Sequence, residues 1–160
     1  MKLKAALPMS IAAIALLAVA GCEKKPPISP ENKQAMETRH EGFEKIGDSM
    51  KTIADAMKAG SGLTPEVAAA ANRINELAPQ LKDWFPAGSG PETKRKTRAK
   101  AEIWQKPEEF AQKRETLATE AAKLAALANA NDAAGFAAQV PALGNACKSC
   151  HDEFRAKEHH

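Results

Sequence analysis

The sequence predicts an all-α protein, an antiparallel four-helix bundle, on three observations. Tyr is absent and aromatic residues make up only 4% of the chain, so the side chains that favour strands are scarce. Apolar residues recur at steps of three, four and seven along four long segments. Two of the connections between those segments are short, which makes the helices they join antiparallel neighbours. A hydrophobic content of 44% over 160 residues is enough to bury one core, which excludes a disordered polymer. Formal charge is +3, but the first 21 residues hold Lys2 and Lys4 and no acid, so the remainder carries 21 basic against 20 acidic residues. That balance gives no electrostatic footprint for nucleic acid.

The amino terminus reads as an address. Lys2 and Lys4 precede an apolar run from Ala5 to Ala20, broken only by Pro8 and Ser10, which is the layout of an export signal over residues 1–21 and is short for a membrane span. The run ends Val19-Ala20-Gly21-Cys22, similar to a bacterial lipobox, in which Cys22 receives a lipid and becomes the first mature residue. Simple cleavage after Ala18-Val19-Ala20 is the alternative and leaves Cys22 a stray thiol. The lipid reading is preferred because an odd Cys in an exported chain needs an explanation. Residues 22–30, with Pro26, Pro27 and Pro30, form an extended spacer, and the bundle occupies 31–157.

The first helix runs from Glu31 to Ala59, with Met36, Phe43, Ile46, Met50, Ile53 and Met57 along one stripe, and Gly60-Ser61-Gly62 stops it. Thr64 caps a second helix that opens on Pro65 and carries Val67, Ala71, Ile74, Leu77 and Leu81; Pro79 kinks or ends it. Asp83 to Lys106 is a connection longer than most inside a compact domain, so it serves a site or wraps the bundle. Its Lys94, Arg95, Lys96, Arg98 and Lys100 form a basic run, either a solvated surface or a docking patch for an acidic partner. Pro107 opens a third helix with Phe110, Leu117, Ala121, Leu124 and Leu127, broken at 129–132. The fourth, from about Asp132 to Lys157, carries Phe136, Val140, Leu143, Cys147 and Phe154 and is expected to kink at Pro141.

Chemistry concentrates at the carboxyl end. Cys147-Lys148-Ser149-Cys150-His151 is C-x-x-C-H, the attachment signal for c-type haem. On a helix, residues three and four apart share a face, so two thiols reach one porphyrin while His151 offers a nitrogen to its iron. Three rivals use the same residues. A thioredoxin-like pair belongs at a helix start after a strand, and no βαβ pattern is present. A zinc site needs further ligands, and only His159 and His160 are nearby in sequence. A Cys147–Cys150 disulfide closes too small a loop to stabilise much.

Four blocks in order identify the family that the chain resembles: Arg39-His40-Glu41-Gly42-Phe43, Trp84-Phe85-Pro86-Ala87-Gly88-Ser89, Ala101-Glu102-Ile103-Trp104, and Cys147 to Arg155. Together they make it similar to cytochrome c′, the class II c-type cytochromes. The resemblance implies one covalent haem c held by Cys147 and Cys150 near the end of the last helix, with His151 as the only protein ligand to iron. It implies Phe43 over the opposite face, Arg39 on a haem propionate with His40 nearby, and Arg155 beside the proximal pocket. Trp84 packs either on the haem edge or in the core. Arg39 has an alternative of its own, snorkelling to solvent. The implied protein is a periplasmic binder of nitric oxide and carbon monoxide, or a one-electron carrier with an unknown redox partner, commonly a homodimer, attached to the membrane only through a lipid on Cys22. No arrangement of acid, base or nucleophile argues for an enzyme. The runner-up is a low-spin six-coordinate carrier with Met36 or Met50 on iron. A haem-free helical lipoprotein with a disulfide is the outside reading.

Overall fold

The computed structural model describes residues 25–157. The export signal, Cys22, the start of the spacer and His159-His160 lie outside the described residues.

Helix α1, Pro30–Ala59, starts where the Ser29 hydroxyl accepts from the Asn32 N–H at 3.1 Å. It stops at Gly60, whose φ of 68° is left-handed and whose N–H reaches the carbonyls of Ala56 and Met57. Its stripe is a heptad pair of columns. Arg39, Ile46 and Ile53 are buried, whereas Met36, Phe43, Met50 and Met57 are half-buried. Helix α2, Pro65–Leu77, is capped by the Thr64 hydroxyl, as its Thr-Pro start predicts, and buries Val67, Ala70, Ala71 and Ile74. Pro79 lies in the stretch where α-geometry gives way to a 3₁₀ segment, Ala78–Asp83, which keeps Ala78 and Leu81 in the core.

Residues 84–101 form the long connection, with one 3₁₀ turn at Pro91–Thr93, and lead into a short helix α3, Glu102–Gln105. Helix α4, Pro107–Asn129, follows directly. Asn131 takes a left-handed φ of 55° and Asp132 caps α5, Ala133–Phe154. Pro141 sits inside α5 without ending it.

Helix α1 packs on α2, α2 on α4 and α4 on α5, but α1 and α5 do not pack along each other. The bundle is therefore closed on three seams. One core runs through Ile46, Ile53, Ile74, Leu117, Leu124, Phe136 and Leu143, and a smaller one joins Ile103, Phe110 and Phe154. Phe85 packs against both, so the connection bridges them.

Candidate functional site

The C-x-x-C-H residues occupy the last turns of α5, at the spacing that puts them on one side of a helix. Cys147 packs against the large core and Cys150 against the small one. Both thiols are free and half-buried. Burial pushes the Cys147 thiol up, and burial followed by the neighbouring Cys147 pushes Cys150 up to about 11, so both stay protonated at neutral pH. His151 is exposed, yet partial desolvation, then Arg155 and Arg98, hold its imidazole below the ordinary range against the pull of Asp152. A neutral imidazole is the form that ligates metal. Among the described residues no three of His, Cys, Asp and Glu gather as a metal-binding group. Arg155 ends α5 in extended conformation, and its N–H still donates to the His151 carbonyl at 3.1 Å.

Opposite α5, Phe43 stands edge-on to Trp84, with ring centres 5.4 Å apart, and to Phe85 at 6.2 Å. Trp84 is a core tryptophan. Its indole lies on the α1 backbone at Gly42, where a Cβ would come within 2.2 Å of the ring, so that position needs glycine. From Phe85 the contacts continue to Phe110 at 4.9 Å and from Phe110 to Phe154 at 5.1 Å, with Trp104 joining Phe85 at 6.2 Å. Six of the seven aromatic side chains thus form one net that links Phe43 on α1 to the last turn of α5, and only Phe136 lies outside it. Trp104 also fastens the connection, its indole N–H donating to the carbonyls of Phe85 at 3.1 Å and Pro86 at 3.2 Å.

Arg39 is only 6% exposed, so it does not snorkel to solvent. Its partners within the chain are neutral oxygens of the connection. One guanidinium nitrogen donates to the Trp84 carbonyl and the Ser89 hydroxyl, each at 3.2 Å; the other donates to the Ser89 carbonyl at 2.9 Å and the Thr97 hydroxyl at 3.4 Å. The plane lies 4.8 Å from the Phe85 ring centre. Burial lowers its pKa, partly offset by Glu92. Arg39 is therefore the latch between α1 and the connection. His40 is exposed, with its Nε2 3.4 Å from a Glu44 carboxylate oxygen.

Sequence reasoning missed Phe85 and Arg114 and treated Phe110 as ordinary helix core. A cavity of about 190 Å³ lies beside the net, lined by Lys82, Phe85, Ile103, Trp104, Phe110 and Arg114 among others. The Arg114 Nε is buried there without a hydrogen-bond partner, while its guanidinium sits 5.4 Å from the Phe110 ring centre. The cavity is smaller than the ~300 Å³ a drug-sized ligand occupies, so by itself it holds no porphyrin. The residues that the resemblance would set around a porphyrin lie on α1 and α5, which do not pack along each other. Phe43, Met50 and Met57 on α1, and Val140 and Cys147 on α5, are each only half-buried although packed against the core. Two protonated thiols, a neutral imidazole, an aromatic net and an unsatisfied guanidinium nitrogen fit a flat apolar group with an anionic edge.

The family model for cytochrome C′ matches residues 34–155. A cytochrome c′ of Pararhodospirillum photometricum is 35% identical over 120 residues, 75% of this chain and 94% of that protein. The solved cytochrome c′ of Thermochromatium tepidum superposes with a TM-score of 0.69 at 30% identity, covering 81% of this chain and 98% of its own. A solved cytochrome c′ with ligand-controlled dimer dissociation gives 0.70 at 30% identity, covering 82% of this chain and all of the other.

Proposed function

Since the chain belongs to the cytochrome c′ family and so is a c-type haem protein, we propose that it is a periplasmic binder of nitric oxide and carbon monoxide, or a one-electron carrier, with five-coordinate iron. Cys147 and Cys150 would hold the haem by thioethers and His151 would ligate iron from α5. The group supplies a metal that binds diatomic ligands or changes oxidation state. The chain's residues decide which.

The observation that carries the reading is Phe43. It is the α1 member of the aromatic net that reaches the Cys150 cluster, and over the face of the haem opposite His151, where the resemblance puts it, it would present carbon and no donor atom. Met36 and Met50 each lie seven residues away, roughly 10 Å along the helix axis. Such an apolar face offers nothing to hydrogen-bond dioxygen and admits small neutral ligands that displace the ring. With no acid–base or nucleophile arrangement invoked, the role is binding or electron transfer, not turnover.

Lipid attachment at Cys22 and a homodimer complete the proposal. The dimer reading is supported by the relative whose dimer dissociates under ligand control. The test is the absorption spectrum of the reduced holoprotein with and without nitric oxide and carbon monoxide. A five-coordinate spectrum that both gases change is expected. A six-coordinate low-spin spectrum indifferent to both would overturn the open site, and Met36→Ala and Met50→Ala would then show whether a sulfur is bound.

A further inference from the structure

One charged surface is not used by the haem reading. Between residues 94 and 100, Lys94, Arg95, Lys96, Arg98 and Lys100 are cationic and none is acidic. The structure fixes this run as a strap. Lys100 N–H donates to the Phe154 carbonyl at 3.0 Å and Ala156 N–H to the Arg98 carbonyl at 2.8 Å, the two rungs of an antiparallel bridge beside the end of α5. Side chains repeat the tie, with Arg98 Nε on the Ala156 carbonyl at 3.1 Å and Lys100 Nζ on the Glu153 carbonyl at 2.6 Å. Of the nearby acids, Glu102 pairs with Lys100 of the strap at 3.5 Å, while Asp152 pairs with Lys148 and Glu153 with Lys106. Lys94, Lys96, Arg155 and Lys157 are exposed, so the haem-attachment end presents a cluster of cations to solvent.

Arg95 adds a position. Its Nη1 donates to the Pro26 carbonyl at 3.0 Å, which lays the start of the described chain against the strap. Cys22 is four residues before Pro26, and four residues reach at most about 14 Å. We propose that strap 94–100 is the face this protein lays on an anionic bilayer, beside an anchor at Cys22, so that the haem-bearing end of the bundle meets the lipid surface. The proposal rests on the lipid attachment put forward above. An acyl anchor holds a protein at a membrane but sets no orientation. Cations tethered within about a Debye length of anionic headgroups do, at about fivefold in partitioning for each Lys or Arg brought to the surface. An acidic protein would be attracted by the same charge, but the bond from Arg95 to the tail next to the anchor places the strap where the bilayer is.

The test is an acetylation footprint of exposed lysines on the isolated holoprotein, at 0.1 M salt, with vesicles of phosphatidylcholine and of phosphatidylcholine with phosphatidylglycerol. Lys94 and Lys96 are expected to be protected at least fivefold on the phosphatidylglycerol vesicles relative to phosphatidylcholine, while Lys33, Lys51 and Lys123 are unchanged. The double variant K94Q/K96Q should lose that difference with an unaltered haem spectrum. Identical footprints on both vesicles, or protection falling on Lys51 or Lys123, would overturn the proposal. Mass spectrometry of the same sample reports lipid at Cys22 and covalent haem separately. An unlipidated chain that still shows the footprint keeps the strap and rejects the anchor.

Discussion

The two ends of the bundle are built from different materials. The far end is mainly aliphatic: Ile53, Val67, Ala71, Ile74, Ala121, Leu124 and Leu143 are almost fully buried and interlock between helices, with Phe136 as their one ring. The haem end is aromatic and polar, with six rings, a buried guanidinium and a connection held by side-chain hydrogen bonds. The first end stabilises through close packing of helix faces. The second lies where α1 and α5 do not pack along each other, and it carries the C-x-x-C-H residues. Stability and function are therefore separable by position along the helices.

Mutations can break that separation or sharpen it. The largest effect is expected from Cys147→Ser with Cys150→Ser, which should abolish covalent haem completely, read by mass, while circular dichroism still reports the helical bundle. Leu124→Ala, at a site with no exposure in the far end, should cost about 3 to 4 kcal/mol in denaturant unfolding and leave the iron spectrum unchanged. Arg39→Leu leaves the Trp84 and Ser89 carbonyls without donors and should cost about 2 to 3 kcal/mol, with increased proteolysis within residues 84–97 as its mark. Gly42→Ala drives a methyl into Trp84 and should cost about 1 to 3 kcal/mol while also shifting the spectrum, because Trp84 backs Phe43. His40→Ala should change stability by less than about 0.5 kcal/mol and the spectrum not at all, since it touches only Glu44. A spectral change from Leu124→Ala, or none from Gly42→Ala, would contradict the division between the ends.

The aliphatic end was legible in the sequence because helical period and caps are local properties. The Thr64-Pro65 start, the Gly60 stop and the apolar stripes of α1, α2 and α4 stand where the spacing placed them. The C-x-x-C-H signal was legible as a motif. The connection was not, since its shape comes from partners far away in sequence: Ser89 is held by Arg39 fifty residues earlier, and Lys100 meets Glu153 fifty-three residues later. Phe85 and Phe110 escaped for the same reason. A ring at helical spacing looks like any core residue until the elements that bring it to other rings are in place. Arg39 was legible as a buried cation that needs partners, but its partners on the connection, the Trp84 and Ser89 carbonyls, were not, again because they lie far away in sequence.

The place of Cys150 has a consequence for biogenesis. Its sulfur is half-hidden against Phe110 and Phe154 on α5, which follows every other described helix in chain order. A bundle that clicked shut at once would conceal the sulfur from whatever machinery must join it to the pigment. Cys150 must therefore meet the pigment either before it seats against Phe110 and Phe154 or after those rings give way.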